Sequence, residues 1–239
     1  AIGYRSMLNN TSGYDTVAIG NDALKANTSG HSQVAIGFNS LLSNTTGIAN
    51  TAVGNGSLDS NTEGGYNVAV GYQSLDDNTT GGSNTAIGYN TLGANTTASN
   101  NIAVGSNALK LNTTGVHNVA VGVSAMGANT TSGYNTAVGN AALNDNNGGD
   151  RGVAVGYAAL SNVTTGDDNV GIGVYAGFDS TTGSDNTIVG NYAGQNLTTG
   201  SNNTIMGYKA GEDLTTAGNC VLIGHDAGAD ALAGVTTTS

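Results

Sequence analysis

The stretch NTAVGNAAL at Asn135–Leu143 recurs along the chain, as NTAIGYNTL at Asn84–Leu92 and as NVAVGYQSL at Asn67–Leu75. The glycine at the fifth place of each copy, here called the marker glycine, returns every 17 residues without a slip. Its fourteen occurrences are Gly3, Gly20, Gly37, Gly54, Gly71, Gly88, Gly105, Gly122, Gly139, Gly156, Gly173, Gly190, Gly207 and Gly224. A fixed period of this length is typical of proteins that stack one small structural unit on the next.

Each copy contains the pattern of one short β-strand just before the marker glycine. The residue before the glycine is Ile or Val in thirteen copies and Met206 in the other, and the residue two places earlier is β-branched. The residue between them is Ala in ten copies, followed by Gly171, Ile188, Ile205 and Leu222. Alternation of this kind places the branched side chains on one face of a strand and the Ala on the other.

Two turn signals complete the 17-residue unit. The marker glycine ends the strand, and a polar segment such as NTTG follows later in each copy. The β-branched strands, the many Asn and Gly residues and the lack of a 3.6-residue period exclude a helical repeat. The sequence therefore predicts an all-β protein, a parallel β-solenoid or β-roll of about 14 coils of 17 residues.

The small alanine face of the strands suggests how copies of the chain meet. An exposed stripe of apolar side chains along the whole stack is a surface that proteins normally cover. We therefore expect a homotrimer in which Ala103, Ala120 and Ala137 lie nearer the threefold axis than Val104 and Val121. On this hypothesis, Ala120→Arg abolishes assembly.

The repeat changes character once along the chain. Up to Leu160 the fourth residue after the marker glycine is Leu or Met, and in the first nine coils the seventh is Asn. From Gly177 onward the fourth residue is Gly, and large apolar side chains appear at the seventh place as Leu197 and Leu214. Because a core cannot lose one Leu per coil without a replacement, we predict that Leu197 and Leu214 fill that volume.

The same change divides the chain into segments. We predict one array of coils over residues 1–160, a second over 161–234, and an exit toward a further domain over 235–239. Leu232 comes one place late for the pattern, which suggests that the last coil leaves the repeat. The chain also begins in the middle of a motif, so we expect it to be a segment of a longer protein.

Composition excludes several classes of function. The chain has 239 residues, a formal net charge of -11 and only five Lys plus Arg, which argues against a nucleic-acid partner. It contains no apolar run long enough to span a membrane, so we expect no membrane insertion in this segment. The three His residues and the acidic residues follow no metal-ligand or catalytic spacing. We predict no enzymatic activity, no cofactor and no metal.

Two sets of polar or aromatic residues recur. Stacked Asn side chains seven places after the marker glycine can hydrogen-bond along a parallel stack, which favours a structural role. These are Asn10, Asn27, Asn44, Asn61, Asn78, Asn95, Asn112, Asn129 and Asn146. Tyr72, Tyr89, Tyr157 and Tyr208 directly follow the marker glycine and are the candidate ligand-binding residues. Their rings could stack on sugars or shield the turn, and the sequence leaves both readings open.

The strand motifs NTAVG, NVAVG and NTAIG resemble the head repeats of trimeric autotransporter adhesins, and the longer unit with YNTL and NTTG is similar to repeats of trimeric tail-fibre and adhesin-like proteins. The resemblance covers essentially the whole chain. It implies a trimer of parallel β-rolls that lies outside the cell, on a cell surface or on a virion. It also implies a stalk or binding head that attaches to surface glycans or to a host receptor.

Two other classes of function compete with an attachment fibre. A monomeric ice-binding solenoid would present an array of Thr, and Thr recurs at Thr28, Thr45, Thr62, Thr79, Thr96, Thr113 and Thr130. No strand, however, carries two Thr on one face in register. A solenoid enzyme would carry long inserted loops with clustered carboxylates, and the fixed 17-residue period leaves no room for such insertions.

Overall fold

The computed structural model describes residues 1–228. In these residues it contains short parallel β-strands joined by turns, with no helix. The strands are β1 Val17–Ile19, β2 Val34–Ile36, β3 Thr51–Val53, β4 Val68–Val70, β5 Thr85–Ile87, β6 Ile102–Val104, β7 Val119–Val121, β8 Thr136–Val138, β9 Val153–Val155, β10 Val170–Ile172, β11 Thr187–Val189, β12 Thr204–Met206 and β13 Val221–Ile223. The fold is a parallel β-solenoid with one strand per 17 residues, as the repeat predicts.

The chain divides into two compact units, one over residues 1–118 and one from residue 119 onward. The first unit contains β1–β6 and the second contains β7–β13. Within each unit, a strand pairs in parallel with the equivalent strand of the next coil, so that Ala18 lies beside Ala35 and Val119 beside Thr136. Equivalent residues of successive coils therefore stack in columns.

The marker glycine is required by the close approach of successive coils. Gly20 has a φ of 142°, a backbone conformation that residues other than glycine rarely adopt. A Cβ placed on Gly20 would also collide with the backbone carbonyl of Gly37 in the next coil. Any larger residue would push two coils apart, which explains why the glycine recurs in every copy.

In the coils that residues 1–223 form, three further positions per coil adopt a left-handed backbone conformation. In one coil they are Asn39, Leu41 and Ala49, with φ values of 56°, 51° and 55°. A left-handed Leu costs backbone energy, and burial of its side chain offsets this cost. In the later coils the same position is occupied by glycine, for example Gly194 with a φ of 52°, which removes the strain.

The strand faces are oriented opposite to our expectation. Ala103, Ala120 and Ala137 are 0% exposed within the single chain, whereas Val121 and Val138 are 36% and 38% exposed. The expectation that the alanine face is an exposed stripe that other copies of the chain cover is therefore wrong, because that face lines the interior of the coil. The branched face is the one that points outward.

The narrow interior explains why Ala points inward. A Cβ placed on Gly171, at the centre of β10, would lie 2.5 Å from Leu160 Cγ. The centre of the strand and the Leu four places after the marker glycine therefore face each other across the coil. Where that Leu is present, the interior has room for little more than a methyl group at the strand centre.

The later coils use the same space differently. Leu197 is fully buried and Leu214 packs against the same cluster, as predicted. Much of the replacement volume also comes from the strand centre, since Ile188 Cδ1 would lie 3.4 Å from a Cβ on Gly194. Ile188 and Ile205 are fully buried. Their side chains therefore point into the coil and are not available to a partner.

One coil forms the junction between the two types. It carries glycine both at the strand centre and at the former Leu position, as Gly171 and Gly177. Leu160 from the coil before and Ile188 from the coil after fill this space, at 2.7 Å and 2.9 Å from a Cβ placed on Gly177. The coil type changes here, while the division into segments 1–160 and 161–234 stays a prediction. Leu232 and segment 235–239 lie outside the described residues.

Two columns of Asn hold successive coils together. In the first column, Asn78 Nδ2 donates to Asn61 Oδ1 at 2.8 Å and to the Gly81 carbonyl at 3.0 Å, and Asn78 is fully buried. This confirms the structural role inferred for the repeated Asn. The second column was not predicted from the sequence and lies just before the strands. There the backbone N–H of Asn84 donates to Asn67 Oδ1 at 3.0 Å.

Candidate functional site

In each of the two units the outward residues of the strands form a surface, and we call this surface of either unit the branched face. It consists of the first and third residue of every strand, all of which are Val, Ile, Thr or Met. Ile19, Ile87 and Ile172 are among the exposed members, and no residue of this face carries a charge. The six stacked strands of the first unit present a contiguous apolar area on the order of several hundred Å², about the size at which surface patches mark interaction sites.

The structure places the four candidate Tyr residues on the surface in two separate groups. Tyr72 and Tyr89 lie in successive coils and stack with their ring centroids 5.6 Å apart and the planes 8° from parallel. Tyr157 and Tyr208 belong to the second unit and are three coils apart. They do not touch each other, but other aromatic side chains connect them.

These connecting rings complete a column that we call the aromatic row, made of Tyr157, Tyr175, Tyr192, Tyr208 and His225. Successive ring centroids are 5.3, 5.6, 6.2 and 5.3 Å apart. Edge-to-face contacts alternate with stacked ones, both of which are favourable arrangements for aromatic pairs. The row contributes one ring from each of five successive coils.

The two central members of the row were not among the residues predicted from the sequence. Tyr175 and Tyr192 occupy the second place after the marker glycine, whereas Tyr157 and Tyr208 occupy the first. Neither repeat position alone therefore carries an aromatic ring in all of these coils. The available signal was that every coil from Tyr157 onward carries an aromatic ring at one place or the other.

The aromatic row presents both apolar rings and polar groups. Tyr157 and Tyr208 are 48% and 45% exposed, while Tyr175 and Tyr192 are partly buried between them. A hydrogen bond to Tyr157 is the main cause that raises the pKa of Tyr175, so the Tyr175 hydroxyl stays protonated at neutral pH. Phe178 packs edge-on against Tyr175 with the centroids 5.1 Å apart. The row can therefore offer ring surface and hydroxyl groups to one ligand.

A half-buried carboxylate pair lies in the first unit, where Asp59 and Asp76 occupy equivalent places in successive coils. Burial raises the pKa of Asp59. Burial, then the charges of Asp59 and Asp77, raises the pKa of Asp76 to about 6, against a hydrogen bond from Gln73 that lowers it. Within residues 1–228, no three His, Cys, Asp or Glu side chains are grouped so that they could hold a metal ion.

The raised pKa of Asp76 predicts that the protein gains stability in mild acid. The folded state binds this proton more tightly than the unfolded chain, so the stabilisation is fully present below about pH 4. It is lost as the pH rises through about 6. We expect Asp76→Asn to raise the unfolding free energy at pH 7.5 by about 1 kcal/mol, after allowance for solvent screening, and to flatten its pH dependence.

Urea unfolding at pH 4.5 and pH 7.5 measures this effect. The matched control is Asp145→Asn, which removes the same charge from an exposed turn. Asn144 already occupies the place of Asp76 in its own coil, so an amide fits there. An unchanged pH dependence in Asp76→Asn would contradict the assignment.

The chain matches no protein-family model, no curated protein and no solved structure. Among residues 1–228 there is also no helix long and apolar enough to cross a membrane. The surface features described above therefore carry the functional interpretation.

Proposed function

We propose that this chain is a structural and binding segment of a homotrimeric surface fibre that mediates attachment, located outside the cell, on a cell surface or on a virion. The branched face carries this proposal. It is a regular, uncharged apolar surface on the outside of a chain whose interior is already filled by its own Ala and Leu side chains.

A second copy of the chain fits the branched face better than an unrelated partner does. Equivalent residues repeat along the face with the spacing of the coils, and another copy in parallel register has the same spacing. The face is also uncharged in a chain with a net charge of -11, so close approach of copies there brings no like charges together. The resemblance of the strand motifs to trimeric adhesin heads supports three copies.

The ice-binding alternative is less well supported by the contacts of its candidate Thr residues. Thr28 Oγ1 donates to the Thr45 carbonyl at 3.0 Å, and Thr45 Oγ1 donates to the Thr62 carbonyl at 3.1 Å. The equivalent hydroxyls of Thr62, Thr79 and Thr96 do the same in their coils. These hydroxyls tie successive coils together, which leaves them fewer hydrogen bonds for ice.

Sedimentation and native mass measurement test the assembly. We expect the wild-type chain to have the mass of three chains at micromolar concentration, and Ile87→Lys to give a folded monomer, because three charges cannot share an apolar interface. Thr97→Lys is the matched control, since Thr97 is exposed in a turn of the same coil, and it should remain trimeric. A monomeric wild-type chain that depresses the freezing point would instead favour the ice-binding alternative.

A further inference from the structure

We infer that the aromatic row is a binding surface for a linear, uncharged polysaccharide. This inference rests on the attachment role proposed above, and it names the chemical class of one ligand and the residues that bind it. It concerns only the second unit and does not depend on the number of chains in the fibre.

The rings of the row are not needed to form the coils. The first place after the marker glycine is occupied by Asn21, Asn55 and Asn140 in other coils, and these coils have the same strand and turns. The second place is likewise occupied by Asn39 and Asn90. An aromatic side chain at these places therefore adds something other than the turn itself.

Two of the rings are held in a strained conformation. Tyr175 and Tyr192 have φ values of 55° and 60°, in the left-handed region that Asn and Gly tolerate best. Asn occupies the same place at Asn39 and Asn90 with φ values of 56° and 50°. The same place is left-handed in the other coils too, as at Lys209 with a φ of 56°, so the coil itself imposes this conformation, and Tyr occupies it although Asn would fit it at lower cost.

The geometry of the row fits a polymer that runs along the stack of coils. The five rings repeat at steps of 5.3–6.2 Å, so each can contact a successive unit of a chain-like ligand. Apolar ring surface beside hydroxyl groups suits the apolar patches and hydroxyl groups of sugar rings, since Tyr combines an apolar body with a polar tip. A compact ligand would use one or two rings and leave the others unexplained.

The charges next to the row favour an uncharged ligand. Glu212 pairs with Lys209 at 3.1 Å, and Asp226 pairs with His225 at 2.9 Å. The nearby positive charge of Lys209 is therefore matched by a carboxylate, in a chain that is acidic overall. A polyanion such as a nucleic acid or an acidic glycan would be repelled, whereas a neutral glycan is not.

Titration calorimetry and tyrosine fluorescence of the full chain test the inference. The chain contains no Trp, so its emission comes from tyrosine alone. The ligands are cellohexaose, β-1,4-linked mannohexaose and maltohexaose, with hyaluronan oligomers as the anionic comparison. We expect at least one neutral hexasaccharide to bind and to change the emission, and hyaluronan not to bind.

Substitution by Asn separates binding from folding. Because Asn suits the left-handed place of Tyr192, Tyr192→Asn should weaken binding about 10-fold or more, while the melting temperature stays the same or rises. The double variant Tyr175→Asn/Tyr192→Asn should lose measurable binding. Tyr66→Asn is the matched control, since Tyr66 is exposed with a φ of 61° outside the row, and it should bind as the wild type does.

Three results would overturn the inference. These are no binding of any neutral hexasaccharide at millimolar concentration, unchanged binding by Tyr192→Asn, and a lower melting temperature for Tyr192→Asn, which would mark the rings as turn shields. The two proposals can fail separately. Because the aromatic row does not depend on the number of chains, the monomeric Ile87→Lys variant should bind the hexasaccharide as the wild type does. A trimeric wild-type chain that binds no hexasaccharide would support the proposed fibre and refute the aromatic row as a glycan site. A monomeric wild-type chain that binds a hexasaccharide would refute the trimer and support the glycan site.

Discussion

Ala120→Arg is expected to unfold the coils around it rather than only separate the subunits of an assembly. The Ala120 side chain is fully buried inside the single chain, and the strand centre faces an interior that other side chains already fill. An Arg there is both too large and charged without a partner, so we expect a loss of more than about 4 kcal/mol in unfolding free energy. Urea unfolding followed by circular dichroism measures it.

The neighbouring outward residue provides the contrast. Val121→Lys changes the next residue of the same strand, whose side chain points away from the interior. We expect this variant to keep the wild-type circular dichroism and to lose only assembly. If Ala120→Arg instead yields a well-folded monomer, the alanine face points outward and the observed orientation of the strands is wrong.

The period, the strand positions and the register could all be predicted from the sequence. They follow from one repeated glycine, because its spacing fixes the length of the coil and equivalent residues must then stack. The repeat did not show which face of the strand points inward. Alternation of Val and Ala defines two faces, but both are apolar, and the available interior volume decides between them.

The signal that could have settled the orientation lies in the change of coil type. Leu four places after the marker glycine is replaced by glycine, as at Gly194 and Gly211, in the same coils in which Ala at the strand centre is replaced by Ile188 and Ile205. An exchange of volume between two places makes sense only if both face the same interior. This relationship appears only when the two places are compared coil by coil.

The candidate binding residues were only partly predictable for a similar reason. Tyr72, Tyr89, Tyr157 and Tyr208 share one repeat position and were found by it, whereas Tyr175 and Tyr192 lie one place further along. Side chains from two adjacent turn positions can reach one column in space, and sequence spacing alone does not show this. The alanine face was expected to be the exposed one, so the branched face was not predicted as an interaction surface.

The fold connects these two surfaces to function in a simple way. Small and large side chains from within each coil fill its interior, so the first and third residues of every strand are free for a partner. Turn positions after the marker glycine accept Asn, Ser, Tyr or Phe without changing the coil. Assembly and ligand binding can therefore vary independently of folding, which suits a fibre segment that must display different surfaces on a constant framework.

A pair of substitutions at the change of coil type tests the packing that makes this possible. Ile188→Ala should lower the unfolding free energy by about 2–4 kcal/mol, because Ile188 is fully buried and fills the space beside Gly177 and Gly194. Gly194→Leu should also destabilise the protein, by about 1–3 kcal/mol through overpacking. A Cβ there would already lie 3.2 Å from Ile205 Cδ1 of the next coil and 3.4 Å from Ile188 Cδ1.

The double variant Ile188→Ala/Gly194→Leu recreates within one coil the arrangement of the earlier coils, with Ala at the strand centre and Leu four places after the marker glycine, while Ile205 of the next coil stays. Leu tolerates the left-handed conformation of that place elsewhere, as Leu143 does with a φ of 49°, so the backbone does not oppose the exchange. We expect the two substitutions to compensate each other by at least about 1 kcal/mol in a double-mutant cycle, measured by urea unfolding. Additive effects would show that Ile188 and the Leu of the earlier coils fill different spaces, because only a shared interior volume couples the two positions.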